Sequence, residues 1–325
     1  MCVIINKISV FEHREGKILS VVLKTSSLCK KIGRRQIIQD LFIEANAGEV
    51  FGFLGPNGAG KTTTIKMIAG LYRITSGSIE ICGHSVSGDF ERAIANVGAI
   101  IEEPRMYGYM TGMENLKYYA GMYKGISQKR ISDMVEQFGM QERIDTKVKT
   151  YSLGMRQRLG LIQAMLHEPK LLILDEPTNG LDPKGIHELR EFLKYAAHQL
   201  GVCVFVSSHL LSEMQLLCDR VGIIDQGRLI KVMGISEING LTVNGSEVII
   251  NVDRPDTAAQ ILSEGGWQGV GIGAGFISVS ADREQVPQII SMLTGGGILV
   301  YGVSQDNSNS LESLYMQLTG GSKIE

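Results

Sequence analysis

The sequence has no run of about 18 or more apolar residues, the length a helix needs to cross a bilayer. Its longest apolar stretches are strand-sized, at residues 171–174 and 202–206. The expectation is a chain that does not itself span a membrane, so work at a membrane would need another chain to supply the spans. The start, Met1-Cys2-Val3-Ile4-Ile5, meets charge too soon to read as a secretory signal. The five cysteines are odd in number and scattered, with no C-x-x-C pair. That excludes a disulfide framework and a thiolate zinc site, and suits a reducing compartment. Net charge is only −2, which offers no basic excess for nucleic acid. A soluble, cytoplasmic protein is expected. What the chain does have is 44% hydrophobic residues and 39 glycines over 325 positions. This is enough for a full core in one large or two medium domains, with many loops.

The chain reads as three parts. Residues 1–19 break any pattern at His13-Arg14-Glu15-Gly16-Lys17 and are read as a loose N-terminal extension. Residues 20–235 alternate strands with helices. Strands are predicted at 21–24, 37–44, 49–54, 78–83, 97–101, 171–174 and 202–207, and a hairpin turns at Asp225-Gln226-Gly227. Residues 30–34 and 75–77 read as turns. Helices are predicted at 64–71, 155–167, 184–199 and 210–218. Between 104 and 170 Met, Tyr, Lys and Gln become frequent, and Leu116, Tyr119, Ala120 and Tyr123 fall at helical spacing. This is read as a helical subdomain. The class is α/β, a largely parallel, doubly wound sheet with an antiparallel β edge. A turn-rich boundary at Asn239-Gly240 and Asn244-Gly245-Ser246 opens residues 236–325, a small α+β domain. It has strands at 247–252, 275–279 and 298–303, and helices at 257–263, 283–293 and 311–318.

The chain is organised around Gly55-Pro56-Asn57-Gly58-Ala59-Gly60-Lys61-Thr62-Thr63. A buried strand precedes these residues and a helix follows, the context in which G-x-x-x-x-G-K-[ST] means phosphate binding. The glycines let backbone N–H groups converge, and the helix N-terminus adds favourable partial charge for an anion. Lys61 can reach the β- and γ-phosphates, and the Thr62 hydroxyl can ligate Mg²⁺. Further along, Leu171-Leu172-Ile173-Leu174 delivers Asp175 and Glu176 at a strand's C-terminal end, where open α/β sheets bind ligands. Asp175 can hold Mg²⁺ through water, and Glu176 can orient or deprotonate an attacking water.

Three more stretches complete a constellation. Tyr151-Ser152-Leu153-Gly154-Met155-Arg156-Gln157 resembles the signature loop of the ATP-binding-cassette (ABC) ATPases, with Leu153 in place of a glycine. Asn179-Gly180-Leu181-Asp182-Pro183 resembles their D-loop, and Ser207-Ser208-His209 their switch histidine. The resemblance covers about residues 20–235. It implies ATP with Mg²⁺ as the bound nucleotide, sandwiched in a head-to-tail dimer. There Ser152 and Gly154 meet the γ-phosphate held by a second subunit, Asp182 crosses the interface, and His209 bonds the γ-phosphate. The local alternatives stay open: Ser152 as an ordinary helix cap, and Asp182-Pro183 as cap and first residue of a helix.

Two positions depart from the family. The aromatic residue that stacks on adenine, roughly two dozen positions before the phosphate loop, is Ile32 here. The usual Gln that links Mg²⁺ and water to a transmembrane partner is Glu102, in Val97-Gly98-Ala99-Ile100-Ile101-Glu102-Glu103-Pro104. The Ile-Glu-Glu-Pro loop is similar to the bacitracin- and lantibiotic-immunity branch. So are Met110-Thr111-Gly112-Met113-Glu114-Asn115-Leu116 and the ending Leu311-Glu312-Ser313-Leu314-Tyr315-Met316-Gln317-Leu318-Thr319-Gly320. Glu102 as a neutral swap for Gln is the alternative. The resemblance implies the ATPase subunit of an exporter on the inner face of the plasma membrane. Its partners would be a second ATPase subunit and a separate transmembrane permease, with no nucleic acid, and its cargo an antimicrobial peptide or drug. The rival readings are a non-transport ATPase on nucleic acid or ribosomes, and a regulatory module with weak turnover. The single cassette, the absence of sustained heptads and the near-neutral charge disfavour the former.

Ring stacking is worth about 1 kcal/mol beyond buried area, or roughly five-fold in a dissociation constant. Ile32→Tyr is expected to tighten nucleotide binding by about that factor in a fluorescence titration, and Ile32→Ala is not. Equal effects from the two substitutions would remove Ile32 from the base contact.

Overall fold

The structure is a computed structural model that describes residues 20–241, 247–281 and 284–306, together with Leu311 and Tyr315. The expected extension 1–19, the turn at 244–246 and most of the expected helix 311–318 lie outside the described residues.

The chain begins with β1 (Val21–Ile32), β2 (Arg35–Asn46), β3 (Val50–Leu54), α1 (Lys61–Ile68), β4 (Ser76–Ile81), β5 (His84–Ser85), α2 (Phe90–Ile94) and β6 (Val97–Ile100). It continues through α3 (Gly112–Ala120), α4 (Gln128–Gln137), α5 (Leu153–Met165), β7 (Leu171–Asp175), α6 (Pro183–His198), β8 (Cys203–Ser208), α7 (Leu211–Leu217), β9 (Arg220–Asp225) and β10 (Arg228–Gly234). The last part is α8 (Ile235–Leu241), β11 (Glu247–Val252), α9 (Pro255–Glu264), β12 (Gly271–Gly273), β13 (Phe276–Ser280), α10 (Val286–Gly295) and β14 (Val300–Asp306).

The central sheet runs β10-β9-β3-β8-β7-β6. All its pairings are parallel except β10 against β9, which supplies the antiparallel edge. Strands β3, β7 and β8 are buried at every position, as unbroken apolar runs require when both faces of a parallel sheet are covered. The two-residue side-chain period divides them between two cores. Leu172, Leu174, Val204 and Val206 join a cluster with Leu159, Ile162, Leu193 and Met214 from α5, α6 and α7. Phe51, Phe53, Ile173 and Phe205 face the other way, toward Ile65 and Ile68 of α1. That second core also takes Leu23, Leu28, Ile38, Ile43 and Ile79 from a separate antiparallel sheet, β2-β1-β4-β5. Helices thus lie on both faces, as the doubly wound expectation has it, with the second sheet an addition on one of them. One face is covered by helices, the other by α1 and a second sheet. Phe51 and Phe205 stack at 5.5 Å across parallel neighbours. Gly98 lets α5 close onto β6, because a Cβ there would lie 2.1 Å from the Ala164 carbonyl oxygen.

Several local expectations change. The turn expected at 30–34 narrows to Gly33 and Arg34, because Lys30 and Ile32 pair with Ile38 and Arg35. Ser76 and Gly77, expected in a turn, open β4, with Ser76 opposite Cys29. Asn239 and Gly240, expected to form a turn, lie in α8, where following residues keep helical backbone despite poor propensity. In the C-terminal part the extra hairpin strand β12 gives the order β-α-β-β-α-β and an antiparallel sheet β12-β13-β11-β14, the split β-α-β pattern. Its own core holds Val248, Ile250, Ile277, Leu262 and Leu293. Leu311 and Tyr315, read from sequence with this part, are instead fully buried in the cluster that holds Met214, Leu217 and Ile238.

Asp219 ties the central sheet to the helical side. Its carboxylate accepts from Val50 N at 2.8 Å and from His198 Nε2 at 3.0 Å. The hydrogen bond to Asp219 raises the His198 pKa above its ordinary 6.5. Burial pushes the Asp219 carboxyl up, but the bonds from His198 and Val50 outweigh it and leave it below 3.8. The His198 contribution is full below pH 6.5 and is lost as pH rises through the raised value. The Asp219 contribution is present above 3.8 and is lost as pH falls through the lowered value. Both side chains are 41% exposed, so screening limits the pair to less than about 1 kcal/mol. Denaturant unfolding should lose up to that much stability as pH rises from 6.5 through the raised His198 value, a slope that His198→Gln removes.

Candidate nucleotide site

Strand β3 ends at Leu54, and residues 55–60 carry the chain into α1. Gly58 and Gly60 have φ of +82° and +109°, which a side chain would strain. A Cβ on Gly55 would lie 2.3 Å from the Ile224 carbonyl oxygen. Ala59 is pinned twice: its N–H donates to Pro56 O at 3.1 Å, and its carbonyl accepts from Gly227 N at 2.9 Å. The hairpin at 225–228 thus buttresses the loop. Lys61 is buried and folds back, donating to Gly55 O at 2.7 Å and Pro56 O at 3.3 Å. Its Nζ also lies 3.4 Å from Glu176 Oε1. An ammonium held this way can exchange carbonyl acceptors for phosphate oxygens, which bind it more strongly. Thr62 and Thr63 occupy the next two positions of the helix.

The acids arrive from β7. Parallel register sets Asp175 opposite Ser207. The Ser207 hydroxyl donates to Asp175 Oδ1 at 2.6 Å and accepts from Glu176 N at 3.1 Å. Glu176 leaves the strand with φ +50°, a left-handed conformation uncommon outside glycine. This turns its carboxylate between two partners: His209 Nδ1 donates to Oε2 at 2.8 Å, and Lys61 approaches Oε1. The structure therefore brings Lys61, Asp175, Glu176 and His209 together at one sheet edge. Ser207 was quoted in the sequence only as a neighbour of His209. A hydroxyl ending the apolar strand Cys203–Val206, beside a strand ending in two acids, is the signal that marks it.

The other expected site residues have local partners of their own. Ser152 caps α5, its Oγ accepting from Met155 N at 3.3 Å, and Asp182 caps α6, accepting from Gly185 N at 2.9 Å with Pro183 at the first turn. Both local alternatives thus hold within one chain. The two loops touch: a Cβ on Gly180 would lie 2.6 Å from Leu153 Cδ2, and one on Gly154 3.8 Å from Leu181 Cδ2. Leu153, the departure from glycine, packs on the neighbouring loop. Ile32 is 50% exposed at the end of β1, while Ile37 and Ile38 of the same hairpin contact Gly60. Glu102 has φ +65° and accepts from Lys66 Nζ at 2.7 Å.

The segment after Glu102 is also organised. Asn115, fully buried on α3, accepts from Tyr107 N at 2.9 Å and donates to Tyr107 O at 3.1 Å. Thr111 and Glu114 form a reciprocal capping box at the start of α3. This locks a cluster of rings. Tyr107 meets Tyr118 edge-on at 5.3 Å and Tyr109 at 5.8 Å, and Tyr118 meets Tyr119 at 5.6 Å. Tyr109 is 67% exposed, with Tyr118 and Met122 exposed beside it. Sequence periodicity marked Tyr119 and Tyr123 as helix-face residues and passed over Asn115.

Residues 38–179 match the family model described as ABC transporter. An uncharacterized ABC transporter ATP-binding protein of Bacillus subtilis, YhcH, is 44% identical over 94% of this chain and 99% of its own length. The bacitracin transport ATP-binding protein BcrA of Enterococcus faecalis is 35% identical, over 94% of this chain and 99% of its own. Among solved structures, an ATP-binding subunit of an ABC transporter superposes with a TM-score of 0.62 at 30% identity, covering 68% of this chain and 92% of that one. Identity of this degree along nearly the full length of both chains shows common descent: the chain belongs to the ABC transporter ATP-binding proteins, the ATP-hydrolysing subunits of that family.

Proposed function

We propose that the chain hydrolyses Mg·ATP to drive export of a peptide antibiotic or drug through a separate permease. The meeting of Lys61, Glu176 and His209 over Asp175 at the ends of β3, β7 and β8 carries this reading. Residues 55–63 wrap the phosphates, with Lys61 on the β- and γ-phosphate oxygens. The Thr62 hydroxyl and the Asp175 carboxylate are hard oxygen donors, the type Mg²⁺ prefers, while Glu102, expected from the sequence as a further donor, is engaged by Lys66. Among the described residues no three His, Cys, Asp or Glu side chains gather to hold a metal alone, so the cation would share phosphate oxygens. Water attacks the γ-phosphorus in line, its proton passes toward Glu176, and ADP leaves with the bridging oxygen. His209 holds the Glu176 carboxylate in place and can bond the γ-phosphate.

Ser152 and Gly154, at the start of α5, suit a head-to-tail dimer in which each completes the other subunit's site, with Asp182 at the crossing. The ATPase unit is residues 20–235, with 104–170 as its helical part, and 236–325 is an accessory unit. Among the described residues no helix is long and apolar enough to cross a membrane. The exposed tyrosines 107, 109 and 118 with Met122 offer an aromatic patch, composition enriched where proteins dock. The permease would seat there, beside Glu102, holding the subunit at the inner face of the membrane. The name of the bacitracin transport relative supports antimicrobial cargo.

Removing the Glu176 carboxylate should lower turnover by about 10²–10⁴-fold, the usual weight of a general base. Glu176→Gln is expected to bind ATP, stall, and elute as a dimer only when ATP is present. Unimpaired turnover would falsify the assigned role. For the docking patch, the double substitution Tyr109→Ala and Tyr118→Ala should cut recovery of a co-expressed candidate permease several-fold in pull-down. The melting temperature should fall somewhat, since Tyr118 gives up ring contacts with Tyr107 and Tyr119, so recovery is compared well below it; equal recovery would point the permease elsewhere.

A further inference from the structure

Three carboxylates converge on one sheet edge. Ile100 of β6 pairs with Leu174 of β7, so Glu102 follows the end of its strand much as Asp175 and Glu176 follow theirs. Each acid has its own partner. Glu176 is held by His209 and Lys61, Asp175 accepts from the Ser207 hydroxyl, and Glu102 accepts from Lys66. Lys61 and Lys66 both come from α1, five positions apart on the helix that carries the phosphate loop. Lys66 is only 21% exposed, its Nζ 5.6 Å from the centre of the Tyr72 ring, while the Glu102 side chain is 55% exposed. Lys66 thus has a fixed seat and Glu102 comes to it. The left-handed backbone at Glu102 fits this, since a non-glycine residue keeps such a conformation only where its surroundings hold it. The hydrogen bond to Glu102 raises the Lys66 pKa, and the nearby Asp175 charge adds slightly to this.

A nucleotide polyphosphate brings several further negative charges to the same edge. A free carboxylate at position 102 would repel them and compete with Asp175 for their cation. We propose that Lys66 is a positioning residue for ATP hydrolysis, holding the Glu102 carboxylate on the flank of α1 and neutralising it while Mg·ATP binds at Lys61, Thr62 and Asp175. This rests on the site reading above. An ion pair of no consequence, worth little at an exposed surface, is the competing account.

The experiment compares the unaltered chain with Lys66→Met, Lys66→Arg, Glu102→Gln and the double Lys66→Met/Glu102→Gln. Binding of a fluorescent methylanthraniloyl-ATP is measured in EDTA and across a Mg²⁺ titration. Lys66→Met should weaken Mg²⁺-free binding several-fold and lower the Mg²⁺ concentration for half-maximal binding, because a released carboxylate repels phosphate and attracts the cation. Lys66→Arg should restore both, and the double variant should match Glu102→Gln alone, as expected when one residue acts through the other. No shift in Lys66→Met, or the same shift with and without the Glu102→Gln change, overturns the proposal. Lys66→Gln serves if Lys66→Met folds poorly. Lys61→Ala separates the two levels. If it binds nucleotide normally, the site reading itself fails. If it loses binding while Lys66→Met changes nothing, only the role of Lys66 fails.

Discussion

The common register of β3, β8 and β7 is the constraint on which the rest depends. Leu54 pairs with Ser208 and Ser207 with Asp175, so three parallel strands end together. Their side chains are buried on both faces, and a one-residue slip would send every apolar group to the opposite core. The cores are therefore what hold the phosphate loop, the two acids and His209 within hydrogen-bonding distance. Ser207 converts that register into chemistry, since one hydroxyl orients Asp175 and meets the Glu176 amide. The left-handed Glu176 then faces Lys61 and His209.

Charge at this edge is balanced locally. Lys61 and Lys66 come from one helix and serve acids on two different strands. Because α1 packs through Ile65, Met67 and Ile68 on the second core, the backbone of neither lysine can shift without disturbing it. The Glu102 loop continues into the tyrosine cluster that Asn115 pins to α3. The nucleotide edge and the exposed aromatic surface are thus joined by one short segment, 102–109, held at both ends by specific bonds. This arrangement suits a protein whose hydrolysis must be felt by another chain.

Much of the central sheet was legible because buried parallel strands are written as short, unbroken apolar runs, as at 171–174. The phosphate loop was legible because its chemistry depends on consecutive residues and on glycine's freedom at positive φ. The separate β2-β1-β4-β5 sheet was harder to place. Its alternation predicts strands but not which surface they cover, and the core that decides this draws on residues from 22 to 224. β12 went unread because Gly271-Ile272-Gly273 has almost no strand propensity and forms by pairing with β13. Asn239 and Gly240 read as a turn by local preference, yet they continue α8.

By itself the sequence marked the residues that meet at the sheet edge: Lys61, Asp175, Glu176 and His209 each sit in a motif whose residue types imply their neighbours. It also marked Ile32 and Glu102 as departures. Only tertiary structure decided that Glu102 rests on Lys66 and that Ser207 bridges two acids. It alone placed Leu311 and Tyr315 in the first core rather than beside their sequence neighbours. The physical reason is the same in each case. Motifs record contacts among residues near in sequence or tied by one ligand, whereas these pairings join side chains separated by tens of residues and are selected by how the sheets and helices close on their cores.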